Sequence, residues 1–189
     1  MDTKKDNFAR FFIIFYGTLL STLFFLSITI YKGDEVLFIN GNYTLFQDWF
    51  FALFTNLGDG LILGAFILFA LFIRFYYAIA LFVIAIGHGF MVSLFKRIIL
   101  PGEGRPITLL DKNLLHFVPG INVHSQHSFP SGHTASIFAL VVFLSLISRN
   151  RTFTITLTLI ALLVGYSRIY LLQHFLMDVT AGAFIGAFT

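Results

Sequence analysis

No cysteine occurs in the 189 residues, so disulfides and thiolate chemistry are excluded, and the redox compartment leaves no trace in the sequence. Charge is nearly as scarce. Asp, Glu, Lys and Arg together make up 11% of the chain, and the net charge of +3 comes without the basic stripe that a nucleic-acid partner requires. There is also no cluster of carboxylates able to cage magnesium. What is present is apolar: 58% of the residues are hydrophobic and 26 are phenylalanine. A soluble domain needs charged faces around one core, whereas here the charges are confined to gaps between apolar stretches of near-spanning length. The chain therefore reads as an integral membrane protein. Its first apolar stretch is longer than a signal-peptide core and lacks a small-residue cleavage site, so it reads as a retained helix.

Six apolar segments can be marked, at about 11–31, 57–73, 76–95, 132–148, 153–171 and 174–189. Backbone polar groups cannot be left unpaired in lipid, so these segments are expected to be helices. The expectation is an all-α, polytopic membrane protein: one membrane-embedded unit over 1–189, with six transmembrane helices. The last segment reaches Thr189 with no polar flank, so either the chain is truncated there or it ends inside its sixth helix. The long gaps 32–56 and 96–131 fall on one side of the membrane. Lys4, Lys5, Arg10, Arg74, Arg149 and Arg151 mark the other, which the positive-inside rule makes cytoplasmic. The opposing side also carries six Lys and Arg, but Lys96, Arg105 and Arg168 have another explanation, and without them the balance is six against three.

Three polar clusters converge on that opposing side. In "SFPSGHTASIFALVVFLSLI", residues 128–147, Pro130 and Ser131 stand at a helix start. Ser131 is a favoured N-cap, and the amides of Gly132, His133 and Thr134 are expected as free donors there. Such an end attracts anions, and His133 beside it has the chemistry of a general acid. For "PSG" alone, an ordinary capped helix is the simpler reading. In "GYSRIYLLQHFLMD", residues 165–178, His174 and Asp178 are four apart, which on a helix puts them on one face. A carboxylate there can fix the imidazole tautomer and leave the other nitrogen free to attack, although a purely structural pair has the same spacing. Arg168 has a planar guanidinium suited to two phosphate oxygens; snorkelling to lipid headgroups is its alternative. In "FKRIILPGEGRP", residues 95–106, Lys96, Arg97 and Arg105 make a cationic edge, which for Lys96 and Arg97 interfacial anchoring explains equally well.

These residues resemble the type 2 phosphatidic acid phosphatase superfamily, membrane lipid phosphatases whose fold is shared with vanadium haloperoxidases and glucose-6-phosphatase. Two of its three signatures occur without deviation: Pro130-Ser131-Gly132-His133, and Ser167-Arg168 through His174 to Asp178. The first, a lysine followed by six residues and Arg-Pro, departs, because eight residues separate Lys96 from Arg105-Pro106 and seven separate Arg97. The lysine role is therefore open between the two. The resemblance spans roughly residues 57–189, and the count of six helices fits it. It implies a metal-independent lipid phosphatase with no cofactor, in which His174 is the nucleophile, Asp178 its partner and His133 the proton donor. It implies further that Lys96, Arg105, Arg168 and the amides near Ser131 and Gly132 hold the phosphoryl oxygens. The substrate class is a lipid phosphate: undecaprenyl diphosphate, phosphatidylglycerol phosphate, phosphatidate or a phosphate of lipid A. The implied location is the bacterial cytoplasmic membrane, with the site at its outer face. A non-catalytic transporter or lipid-binding relative that keeps the anion pocket is the competing class. Retention of both histidines and Asp178 favours the enzyme, since anion binding alone needs neither nucleophile nor proton donor.

Other polar residues have simpler readings. His116, His124 and His127 lack the framing of a zinc site and are expected at the rim. His88 is expected as a packing histidine, and Glu103 and Asp111 as solvated loop charges. Gly60 with Gly64, and Gly182 with Gly186, are expected at helix contacts. Segment 32–56 is expected to lie as an interfacial stretch over the site entrance, with Tyr43 and Trp49 at headgroup level.

Overall fold

The computed structural model describes residues 3–189, with side chains from residue 6 onward, and among the described residues all regular structure is helical. The side chains of Lys4 and Lys5, two of the cations used to orient the chain, lie outside that range. The α-helices are α1 (Thr3–Thr29), α2 (Asp34–Gly41), α3 (Leu45–Phe54), α4 (Gly60–Ile73), α5 (Phe75–Leu94), α6 (Pro106–Leu109), α7 (Gly132–Ser148), α8 (Arg151–Tyr170) and α9 (Leu176–Phe188). Each of the six apolar segments contains a helix. Asp6–Thr29, Phe75–Ile99 and Arg151–Tyr170 are long and apolar enough to cross a membrane, and a fourth span exists if Leu45–Gly58 and Gly60–Ile73, bent by 50°, count as one. At 17 and 13 residues, α7 and α9 are shorter. A 13-residue helix is about 20 Å long, against a hydrocarbon core of about 30 Å. Both begin at polar clusters.

Helix α7 is the centre of the packing. Its residues Thr134 to Val141 are all buried, and it lies against α9, α8 and α5. Small residues permit the closest approach. A Cβ on Gly182 would stand 2.5 Å from the carbonyl oxygen of Ser131, and one on Gly186 would collide with that of Ala135. The second glycine pair behaves differently from expectation: nothing lies within 4 Å of a Cβ on Gly60 or Gly64, so they make no close helix contact. His88 does pack across helices, with Nδ1 at 2.9 Å from the carbonyl of Ile84 and Nε2 at 3.1 Å from Ser136 Oγ on α7.

Segment 32–56 folds into α2 and α3. Along α3 the residues Leu45, Phe46, Trp49 and Leu53 are exposed while Asp48 and Phe51 are buried, so the helix is two-faced. Thr44 caps it by accepting from the Gln47 amide at 3.2 Å. Asp48 then anchors α3: its carboxylate accepts from the Tyr170 hydroxyl and meets His116 Nε2 at 2.9 Å. Tyr43 stacks on the His116 ring at 3.5 Å. His116 thus belongs to the attachment of α3, and among the described residues no group of three His, Cys, Asp or Glu is placed to hold a metal ion. Glu103 is a half-buried partner of Lys32 at 3.5 Å, and Asp111 caps a short 3-10 turn through the Asn113 amide.

Candidate active site

The three polar clusters meet at one end of the bundle, opposite the end that carries Arg10, Arg74, Arg149 and Arg151. At that opposite end, Arg151 donates to the carbonyl of Asn7, tying the starts of α8 and α1 together. At the site end, backbone hydrogen bonds join the clusters. Arg105 N donates to Ser125 O at 2.9 Å and Ser128 N to Glu103 O at 3.0 Å, which ties the 95–106 cluster to the 128–147 cluster. Ser131 N donates to Asp178 O at 2.9 Å, which ties the 128–147 cluster to the 165–178 cluster.

His174 does not sit on a helix face as its spacing implied. Helix α9 begins at Leu176, and His174 lies in the turn between α8 and α9. That turn reverses at Leu172, whose φ of 59° is left-handed, a conformation that costs a non-glycine residue about 1–2 kcal/mol. Burial in a cluster with Val36, Leu115, Ile169, Phe175 and Val179 holds it there. The amides of Gln173 and His174 both donate to the carbonyl of Arg168, at 2.9 and 3.2 Å, so the nucleophile candidate is fastened to the arginine candidate.

Asp178 is the third residue of α9, and its Oδ2 accepts from the Phe175 amide at 2.9 Å. This is half of a capping box; the other half is missing because Phe175 has no polar side chain. The same oxygen accepts from Ser128 Oγ at 2.5 Å and faces His174 Nδ1 at 3.4 Å. That last separation is within ion-pair reach without being a formed hydrogen bond, and Nδ1 is sealed with no other partner. Two donors on one oxygen fit an ionised carboxylate. Burial drives the His174 imidazole well below its ordinary basicity, with Asp178 opposing and Arg168 and Arg105 reinforcing the shift, so the ring is held neutral. Its Nε2 makes no hydrogen bond among the described residues.

Arg105 and Arg168 are both buried, at 7% and 8% exposure, yet neither has a carboxylate partner among the described residues. Arg105 is aimed by neutral acceptors: Nε donates to Gln126 O at 2.9 Å, and NH1 to Gln173 O and Oε1 at 3.0 and 2.7 Å. Burial lowers the pKa of this guanidinium, with Asp178 opposing. Arg168 donates through NH1 to Thr55 Oγ1 at 2.7 Å, while its buried Nε has no partner. Two desolvated guanidiniums without an ion-paired carboxylate are groups whose charge an anion would satisfy.

The first cluster absorbs its extra residues locally. Phe95–Ile99 forms a π turn, closed by Leu100 N to Phe95 O at 2.8 Å, and Gly102 then turns the chain with φ of 84°. Lys96 is left half-buried and within electrostatic reach of Arg105, Arg168 and Asp178, whereas Arg97 is exposed.

The helix start at Ser131 differs from expectation in two amides. Ser131 N is occupied by Asp178 O, and Thr134 N is capped by Ser131 Oγ at 3.4 Å. Neither is available to a phosphoryl oxygen. The amides of Gly132 and His133 make no hydrogen bond among the described residues, and the His133 side chain lies in the field of Arg168, Lys96 and Arg105. His124 and His127 are exposed, and His127 Nδ1 lies 3.1 Å from the Lys96 carbonyl. The chain pattern gave no sign of Ser128, Gln173 or Thr55, although Ser128 and Gln173 flank recognisable motifs.

The chain has relatives in sequence and in fold. A protein named lipid A 4'-phosphatase from Bacteroides thetaiotaomicron is 32% identical over 164 residues, covering 81% of this chain and 71% of the relative. A lipid A 1-phosphatase from Rhizobium johnstonii is 32% identical over 108 residues, 57% of this chain and 42% of the relative. The crystal structure of Aquifex aeolicus LpxE superposes with a TM-score of 0.74 at 28% identity, covering 86% of this chain and 94% of that one. A PAP2-type phosphatidylglycerolphosphate phosphatase from Bacillus subtilis, at 21% identity and a TM-score of 0.57, shares the fold over 97% of this chain and 90% of its own. The model of the PAP2 superfamily matches residues 75–189, the stretch that holds every one of the three clusters, and the chain belongs to that superfamily.

Proposed function

We propose that this chain is an integral membrane phosphatase that removes a phosphate monoester from a lipid of the lipid A type, through a phosphohistidine intermediate. The observation that carries this reading is the pair of buried guanidiniums, Arg105 and Arg168, without carboxylate partners beside a neutral His174. An anion pocket alone has no use for a desolvated imidazole whose Nδ1 faces a carboxylate at 3.4 Å.

In this reading Nε2 of His174 attacks phosphorus, and the bond from phosphorus to the lipid oxygen breaks. Asp178 stabilises the charge that develops on the ring. Arg105, Arg168, Lys96 and the amides of Gly132 and His133 take the phosphoryl oxygens as negative charge moves among them. His133 gives its proton to the departing lipid oxygen. It then draws one from the water that cleaves the phosphorus–nitrogen bond, releasing inorganic phosphate and restoring His174. The cationic side chains take the place that a metal ion holds in other phosphoryl-transfer sites.

A lipid substrate is supported by the surroundings. An apolar groove of about 360 Å³, walled by Phe24, Phe95, Phe129 and Phe184, shares Phe129 and Met177 with a cleft of about 280 Å³ lined by Lys32, Glu35, Glu103 and Asp178, while His174, Arg105 and Arg168 line neither. In this reading α1, α4, α5, α7, α8 and α9 all cross a bacterial cytoplasmic membrane, with the site at its outer face. The lipid A class comes from the relatives. The test is phosphate release by purified protein, in excess EDTA, from lipid A phosphorylated at the 1 or 4' position, phosphatidate, phosphatidylglycerol phosphate and undecaprenyl diphosphate. Fastest release from the 4' position is expected. Release from none of them, or only after Mg²⁺ or Zn²⁺ is added, would sink the proposal.

A further inference from the structure

The segment "TNLGD", residues 55–59, lies outside the three clusters and outside the matched residues 75–189. It joins α3 to α4 as a 3-10 turn, Thr55–Gly58, followed by Asp59. Its neighbours are the start of α7 and the end of α8, the two elements that carry His133 and Arg168.

Three contacts define it. Thr55, 6% exposed, accepts from Arg168 NH1 at 2.7 Å, and its hydroxyl makes no other hydrogen bond among the described residues. Gly58 is buried so tightly that a Cβ would stand 2.8 Å from the His133 carbonyl oxygen and 2.9 Å from His133 Cβ. Asp59 caps α4 through the Leu61 amide at 2.8 Å, and its charge reaches both His133 and Arg168. The turn therefore touches the proton donor and an anion-binding guanidinium at once.

A guanidinium that is to meet two phosphoryl oxygens must have its plane fixed, because the fork offers its donors in one geometry only. Arg105 is fixed by three acceptors, on Gln126 and Gln173. Arg168 has a single side-chain hydrogen bond among the described residues, the one to Thr55. We infer that Thr55 is a positioning residue of the active site: it sets the plane of Arg168, and the 55–59 turn keys that guanidinium to His133 through Gly58. This rests on the reading of Arg168 as a phosphoryl-binding group.

The experiment uses the full chain in detergent and reads two quantities: orthovanadate affinity by calorimetry, and phosphate release from lipid monoesters. Thr55→Val replaces the acceptor with a methyl group of similar shape, and Thr55→Ala, made in parallel, removes it without the branch. Thr55→Ser keeps the hydroxyl. Loss of one charge-assisted hydrogen bond acting through Arg168 is expected to weaken vanadate about tenfold and to lower kcat/KM by a similar factor. Thr55→Ser stays within about threefold of wild type on both measures. In an Arg168→Lys background, Thr55→Val adds no more than about threefold, since residues that act through one contact are not additive. Vanadate affinity of folded Thr55→Val or Thr55→Ala within about twofold of wild type, or losses that multiply fully in the Arg168→Lys background, would overturn the inference. The two proposals fail separately. A wild type that hydrolyses no lipid yet shows the Thr55 effect on vanadate defeats the lipid phosphatase reading and keeps this one. A wild type that hydrolyses lipid while Thr55→Val binds vanadate normally defeats this one alone.

Discussion

Ser128 donates to the carboxylate oxygen of Asp178 at 2.5 Å, the same oxygen that faces Nδ1 of His174 at 3.4 Å. The carboxylate is thus held from the protein side, by Ser128 Oγ and the Phe175 amide, before it engages the imidazole. Removing the hydroxyl with Ser128→Ala leaves the charge but frees its direction. A fall in kcat of about ten- to a hundredfold is expected, the scale of one lost hydrogen bond to a charged group, with KM little changed. Steady-state kinetics on the preferred lipid checks it. An unchanged kcat would show that Asp178 needs no such support.

Lys96 and Arg97 divide by exposure, the first half-buried near Arg105 and the second exposed. Lys96→Ala is expected to weaken orthovanadate inhibition about ten- to a hundredfold, and Arg97→Ala to change it by less than about threefold. Competitive inhibition constants for the two variants decide the matter, and the reverse order would reassign the lysine role to Arg97.

Burial holds the His174 ring neutral, which fixes a sign for its pH dependence. Its folded pKa lies below the unfolded value of about 6.5, so as pH falls beneath that value the unfolded chain takes a proton that the folded chain refuses. Stability is therefore expected to decline from about pH 6.5 downward, while the folded ring stays unprotonated. In nitrogen-15 histidine spectra, His174 is expected to keep neutral-imidazole shifts at pH 5. A titration midpoint near 6.5 would contradict the desolvated site.

Gly182 admits α9 to α7 where a Cβ would stand 2.5 Å from Ser131 O. Gly182→Ala must push the helices apart beside Ser131 N and Asp178 O, which bond at 2.9 Å. A loss of about 1–3 kcal/mol in stability is expected from such overpacking, with activity falling beyond the loss of folded protein. Thermal melting in detergent and specific activity measure the two. Wild-type values for both would mean that the contact is not constraining.

Much of this site was legible because its chemistry is carried by short, contiguous strings. Pro130-Ser131-Gly132-His133 opens α7, and Arg168, His174 and Asp178 fall where α8 ends and α9 begins. What was not legible depends on how the chain folds back. The spacing of His174 and Asp178 fits a helix face equally well, and only the left-handed Leu172 and the helix start at Leu176 show that the pair meets across a turn. The expected amide of Ser131 is consumed by Asp178, a partner 47 positions along the chain. Gly60 and Gly64 have the same spacing as Gly182 and Gly186, but no neighbour lies against them, and spacing alone does not report what stands opposite. Thr55 is 113 residues from Arg168, beyond the reach of any local pattern.

The central claim is a covalent bond between phosphorus and Nε2 of His174. Rapid acid-free quenching of the purified protein with phosphorus-32-labelled lipid monoester tests it most directly, because phosphohistidine survives base and is lost in acid. Label is expected on one peptide containing His174, stable at high pH, released at low pH, and absent from His174→Ala. Turnover by a wild type that never carries label under these conditions, or label that persists in His174→Ala, would contradict the account.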